Sequence, residues 1–109
     1  MGAAERVTDL GSLDGVNEAT LCEADGAFVS SSASQPRLGI VAGGLRVALQ
    51  AIQGAIPDLG VPMNLTVEGE NGALHMAQIP GSILILSTTN DANLGSVRLE
   101  MREALQNPE

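Results

Sequence analysis

Residues 36–57 read PRLGIVAGGLRVALQAIQGAIP, and this stretch decides the fold of the 109-residue chain. Prolines bracket it, and its apolar residues recur at intervals of three and four, which is the spacing of one face of an α-helix. The stretch is therefore predicted to form the longest helix of the chain. Its first apolar stripe consists of Leu38, Val41, Ala42, Leu45, Leu49, Ile52 and Ile56.

A second apolar stripe lies more than a quarter turn from the first when the helix is projected at about 100° per residue. It consists of Ile40, Gly44, Val47, Ala51 and Gly54. A glycine inside a helix costs roughly 1 kcal/mol relative to alanine, and glycines on one side let another backbone approach closely. We therefore predict that the bulky residues pack on the chain's own sheet and that the small ones face a partner. The first set is Leu38, Leu45, Leu49 and Ile52, and the second is Ile40, Gly44, Val47 and Ala51.

Composition narrows the class of protein. The length predicts one domain over residues 1–109, and 44% hydrophobic residues exclude a disordered tail. A net charge of −8, five arginines, no lysine and a single aromatic residue argue against nucleic acid, which needs cations and stacking rings. One cysteine favours a reducing cytoplasm. Neither a signal peptide nor a membrane segment is predicted, because residues 1–10 are too polar and their apolar run is too short.

The remaining periodicities predict seven further elements. A short helix from Ala3 to about Leu13 precedes a hairpin of residues 16–23 and 27–32. Beyond the long helix come strands at 61–68, 73–79 and 82–88, and a helix from Asn93 to about Gln106, capped by Asn90 or Asp91. We predict an α/β (α+β) domain of order α-β-β-α-β-β-β-α. Its five-stranded, mainly antiparallel sheet carries the long middle helix on one face and the terminal helices on the other.

Residues that could carry chemistry are few. His75 is the only histidine and has no partner at metal-ligand spacing, so a structural histidine, at the surface or half buried, is favoured over a catalytic one. Cys22 has no basic neighbour to lower its pKa, which favours packing over nucleophilic attack. Residues 39–44, GIVAGG, lack the spacing of a phosphate-binding loop. We predict no catalytic, metal or cofactor-binding residue.

Three segments carry a resemblance to a known family. Residues 82–105, SILILSTTNDANLGSVRLEMREAL, resemble the closing strand and helix of the roadblock, or dynein light-chain, domain family, including its Asn-Leu-Gly at Asn93, Leu94 and Gly95. Residues 21–29 resemble the family's first hairpin, with Asp25 and Gly26 in the turn, and residues 41–52 resemble its long helix. The chain is similar to prokaryotic members of the family, including the gliding-motility type.

The resemblance implies binding without catalysis. Family members dimerise through the long helix and the third strand and bind small Ras-like GTPases, which implies here a noncatalytic homodimeric regulator or GTPase-activating partner. The alternative is a scaffold or adaptor subunit of a motor or signalling complex without GTPase contact. The implied dimer interface is Ile40, Gly43, Gly44, Val47, Ala51, Gly54, Met63 and Leu65. The candidate partner contacts are Arg37, Arg46, Gln50 and Gln53, where solubilising or salt-bridging arginines are favoured over arginine fingers.

Overall fold

A computed structural model describes residues 3–23, 28–32, 38–79, 82–90 and 94–106. Its helices and strands follow the predicted order. They are α1 (Ala3–Gly11), β1 (Val16–Glu23), β2 (Phe28–Ser31), α2 (Gly39–Ala55), β3 (Asn64–Gly69), β4 (Gly72–Ile79), β5 (Ser82–Thr88) and α3 (Leu94–Gln106), with a short 3-10 helix (Pro57–Leu59) between α2 and β3.

The strands form one sheet in the order β2-β1-β5-β4-β3, and every neighbouring pair is antiparallel. The last strand in sequence, β5, therefore lies at the centre, and β2 and β3 form the two edges. The sequence SILILST predicted this position, because a strand that is apolar on both faces must be covered on both.

Alternate residues of β5 enter two separate cores. Ile83 and Ile85 belong to the cluster under α2, whereas Leu84 and Leu86 belong to the cluster under α1 and α3. The α2 cluster comprises Cys22, Leu38, Ala42, Leu45, Leu49, Met76, Ile83 and Ile85. The other comprises Val7, Leu10, Ala19, Leu21, Ala77, Leu84, Leu86, Val97 and Met101. The long helix thus lies on one face and the terminal helices on the other, as predicted.

The buried carboxylate of Glu18 holds the start of α2. The strand β1 turns Glu18, Thr20 and Cys22 towards α2. Glu18 Oε2 accepts the backbone N–H of Leu38 at 3.0 Å and the hydroxyl of Thr20 at 3.1 Å. Leu38 is the N-cap residue of α2, and no side-chain hydrogen bond caps this helix from that position. A carboxylate from the sheet therefore satisfies one of the N–H groups that a helix leaves unpaired at its N-terminus.

Several element ends differ from the prediction by up to three residues. The strand β3 begins at Asn64, three residues later than predicted, because Pro62 has no N–H to donate to the sheet ladder and a 3-10 helix occupies part of the connection. The Asn90 side chain donates to the carbonyl of Glu70 at 2.8 Å, and α3 begins only at Leu94, so the prediction of Asn90 as its cap was wrong. The predicted turns at 24–26 and 80–81, together with Pro36 and Asp91, lie outside the described residues.

Candidate functional site

The outer face of α2 is the most conspicuous feature of the surface. Leu38, Leu45 and Leu49 are buried against the sheet and Ile52 is half buried, so the bulky stripe faces inward as predicted. The opposite side exposes the described members of the small stripe, Gly44, Val47, Ala51 and Gly54, together with Gly43. The valine side chain at position 47 is 64% exposed. The side chain of Ile40 lies outside the described residues.

The glycines of this face make no close contact with other described parts of the chain. A Cβ atom built at Gly43, Gly44 or Gly54 meets no heavy atom within 4 Å. Alanine would therefore fit at each position and would favour the helix by roughly 1 kcal/mol per residue. The described part of the chain gives no reason for glycine at these positions.

Exposed apolar residues continue along the chain from α2 to the sheet edge. Large exposed side chains occupy the end of the helix, the connection and the edge strand: Ile56, Leu59, Val61, Met63 and Val67. Leu65, which the sequence placed in the interface, is half buried and packs against the cluster under α2. Because β3 is an edge strand, one side of its backbone has no neighbouring strand within the described sheet. The outer face of α2 and this edge are below called the α2–β3 surface.

The candidate partner contacts lie on the same helix. Arg46, Gln50 and Gln53 are exposed at spacings of four and three, so they project from neighbouring turns on one side of α2. Arg37 lies outside the described residues. The polar strip therefore runs beside the small-residue stripe on the solvent side of the helix.

His75 lies deeper than the sequence predicted. It is 2% exposed, and its two ring nitrogens lie near two threonine hydroxyls: Nδ1 is 3.4 Å from Thr66 Oγ1 and Nε2 is 3.2 Å from Thr88 Oγ1. The expectation of a surface or half-buried position was wrong, because β4 lies inside the sheet and both of its neighbours supply a hydroxyl. Burial lowers the pKa of His75, Arg98 lowers it further, and Glu68 partly opposes both. The ring is therefore a neutral, hydrogen-bonded part of the core.

The other candidate chemical groups are also placed structurally. Cys22 is fully buried under α2, and burial raises the pKa of its thiol, which keeps it protonated. Among the serines at the end of β2 and just after it, Ser31 Oγ lies 3.1 Å from Thr20 Oγ1, and Ser32 Oγ accepts the backbone N–H of Ala19. Over the described ranges, no cluster of three or more His, Cys, Asp or Glu side chains could hold a metal ion.

Sequence reasoning missed the buried role of Glu18. A charged residue one position outside an apolar run is usually read as a strand end facing solvent. The available signal was alternation: Glu18 shares a face with Thr20 and Cys22, and β1 is followed in space by the fully apolar β5. None of the described helices is both long enough and apolar enough to cross a membrane.

Comparison with known proteins identifies the fold. No protein-family model matches the chain, and no curated protein matches it. Several solved structures match the chain. A structure titled MglB with tetrameric arrangement has a TM-score of 0.79 and 22% identity over 94% of this chain and 81% of that one. The gliding protein MglB of Thermus thermophilus has a TM-score of 0.78 and 22% identity over 94% of this chain and 82% of that one. A Roadblock/LC7 domain of Streptomyces avermitilis has a TM-score of 0.82 and 17% identity over 97% of this chain and 93% of that one. The chain therefore has the Roadblock/LC7 fold that its hairpin, long helix and closing strand and helix predicted.

Proposed function

We propose that the chain is a noncatalytic regulator that forms a homodimer through the α2–β3 surface and, as a dimer, binds a small Ras-like GTPase. The observation that carries the proposal is the exposed small-residue stripe of α2. Contiguous exposed apolar surface on a soluble domain marks an interaction site. The adjoining edge strand offers unpaired backbone groups that a second sheet can complete.

The glycines support a close helix–helix contact. Gly43, Gly44 and Gly54 lower the stability of α2 without relieving a clash inside the chain. Small residues on one side of a helix permit two helix axes to approach closely, and Val47 and Ala51 then supply the contact area. A twin copy is the partner that fits most directly, because two-fold packing places the same face on both sides of the interface.

The similar structures and the sequence resemblance support the partner class. One of the MglB structures is described as having a tetrameric arrangement, so self-association occurs in a protein of this fold. The resemblance to gliding-motility regulators implies a small Ras-like GTPase, which would dock against the polar strip of Arg46, Gln50 and Gln53. In such a role the GTPase carries the catalytic groups and the dimer repositions them.

Self-association is tested by placing a charge on the stripe. Val47→Arg should bury an unpaired guanidinium at the interface, which costs about 3 kcal/mol or more, and should yield a monomer of 11.1 kDa in light scattering where the natural chain gives twice that mass. Leu99→Arg is the matched control, because Leu99 is 52% exposed on α3, which packs on the opposite face of the sheet. A Val47→Arg protein that stays dimeric would contradict the proposed interface.

GTPase binding is tested with small Ras-like GTPases encoded in the same genome, loaded with GTP and mixed with the natural chain. Co-elution and faster hydrolysis are expected, and both should be lost with Val47→Arg. Arg46→Ala should change the hydrolysis rate by less than about tenfold, since an arginine finger would be worth about 10³–10⁵. A loss on that larger scale would show that the chain itself supplies a catalytic group. Binding without any change in hydrolysis would favour the scaffold alternative.

A further inference from the structure

A groove of about 500 Å³ lies on the face of the sheet that carries α1 and α3. One wall is α3, which contributes Arg98, Met101 and Arg102, and the other is the β3–β4 hairpin and the residues just before it. The hairpin side contributes Met63, Asn64, Thr66, His75, Met76, Ala77 and Gln78. Sites for small ligands commonly have this size and combine an apolar lining with a few converging polar groups.

The base of the groove is a fixed hydrogen-bond network. Arg98 donates to Thr66 Oγ1 at 3.4 Å, and the same hydroxyl lies beside the buried ring of His75. The Gln78 amide donates to the carbonyl of Pro62, and its backbone N–H donates to the carbonyl of Met63 at 2.9 Å. These bonds hold the segment before β3 against β4, so the groove is formed before any ligand arrives.

The groove carries positive charge, whereas the chain as a whole is negatively charged. Two of the five arginines line it, although the net charge is −8. Arg98 and Arg102 are four residues apart and project from the same side of α3. Glu100 lies about half a turn from their mean direction, and neither it nor Glu103 lines the groove. No described carboxylate lines the groove, and Glu68, which acts on His75 from the same face of β3, lies outside the lining.

We propose that this groove binds a small organic anion that carries an apolar chain. The guanidiniums of Arg98 and Arg102 hold the carboxylate or phosphate head, because a planar fork of N–H donors matches either group. The thioethers of Met63 and Met101 contact the chain, since unbranched, polarizable side chains adapt to apolar ligands.

The site adjoins the proposed dimer interface along β3. Met63 belongs to both sets, and Asn64 and Thr66 lie on the edge strand that the interface includes. The two arginines and Met101 lie on α3, across the sheet from the interface stripe of α2. The inference therefore does not rest on dimerisation. A monomeric Val47→Arg protein should bind the same anion.

Binding of an anion in the groove can be followed through the methyl groups of the methionines. The chain has four methionines, and Met63 and Met101 line the groove on its two walls. Met76 also borders the groove, but its side chain belongs to the cluster under α2 and serves as an internal reference. Methyl spectra of the ¹³C-methionine-labelled full chain are recorded during titration with octanoate and, separately, with octyl phosphate. Saturable shifts of Met63 and Met101, with Met76 unmoved, are expected with at least one of them, and the stronger binder identifies the head group.

Control ligands and protein variants test the contributions of the anionic head and the apolar chain separately. Octan-1-ol, octyltrimethylammonium and acetate each lack one required feature and should bind at least tenfold more weakly. Arg98→Gln and Arg102→Gln should each weaken binding about tenfold, whereas Arg46→Gln, an exposed arginine on α2, should leave it unchanged. Equal shifts with octyltrimethylammonium, shifts of Met76 together with the other two, or unchanged binding in both arginine variants would overturn the proposal. So would a response to a glutamate- and leucine-rich helical peptide but to neither octyl anion, because the groove would then be a protein-docking surface.

Discussion

The carboxylate of Glu18 accepts the backbone N–H of Leu38 at 3.0 Å, which joins β1 to the first turn of α2 across twenty residues of chain. Both groups are buried, so water cannot replace the bond if either partner is lost. The helix that carries the proposed interface is therefore anchored from the sheet at its N-terminus.

Glu18→Ala should lower the free energy of unfolding by about 1–3 kcal/mol, because a buried N–H and the Thr20 hydroxyl lose their acceptor. Urea unfolding at fixed protein concentration measures the difference. Glu23→Ala is the control, since Glu23 ends the same strand exposed, and it should change stability by less than about 0.5 kcal/mol. Equal losses in the two variants would mean that the bond to Leu38 contributes nothing specific.

Gly72→Ala should destabilise the β3–β4 hairpin. A Cβ atom at Gly72 would clash with the carbonyl oxygen of Thr88, a backbone atom of the central strand that cannot move alone. The expected loss is about 1–3 kcal/mol. Gly69→Ala, in the same hairpin, meets its nearest atom at 3.5 Å and should be neutral or slightly stabilising. Urea midpoints of the two variants test this, and a Gly72→Ala protein as stable as the natural chain would refute the close approach.

Gly44→Ala should have opposite effects on the subunit and on the dimer. In the monomeric Val47→Arg background it should raise the free energy of unfolding by about 1 kcal/mol, because the position is open and helical. In the natural chain it should shift the dimer to dissociation at higher protein concentration, because the added methyl group separates the two helices. A dilution series in light scattering measures the second effect. Tighter association would exclude a close contact at this position.

Acid should destabilise the fold through His75. Its pKa is lowered on folding, so the unfolded chain binds the proton more readily, and stability falls as the pH drops below the unfolded value of about 6.5. The free energy of unfolding should thus be lower at pH 5.5 than at pH 7.5, a range in which ordinary carboxylates stay ionised. Because the chain has one histidine, a single imidazole resonance reports the titration in the folded state. An imidazole that titrates at or above the unfolded value would contradict the prediction.

Periodicity was sufficient to predict the scaffold. The ILIL run of β5 predicted the central strand, and the two stripes of α2 predicted which side of the helix is buried. Both predictions rest on periodicity, because the position of a residue in a helix or strand determines the direction of its side chain. What the pattern could not supply were contacts between distant polar groups. Glu18 meets Leu38, and His75 meets Thr66 and Thr88, only after the strands have been ordered in the sheet.

The sequence did not predict the groove either. Arg98 and Arg102 look like ordinary members of a charged helix face, and nothing local distinguishes them from Glu100 or Glu103. Their position over β3 and β4 depends on how α3 crosses the sheet, which no spacing within α3 encodes. The interface and partner residues on α2 stay predictions.

The buried histidine links three neighbouring strands of the sheet. His75 lies on β4, and its ring nitrogens lie 3.4 Å from Thr66 Oγ1 on β3 and 3.2 Å from Thr88 Oγ1 on β5. A neutral imidazole has one N–H donor and one acceptor nitrogen, so it can form one hydrogen bond to each neighbouring strand. Within the described sheet, β3 has only one neighbouring strand. Through His75, this edge strand is therefore connected by side chains, as well as by its backbone, to the centre of the sheet.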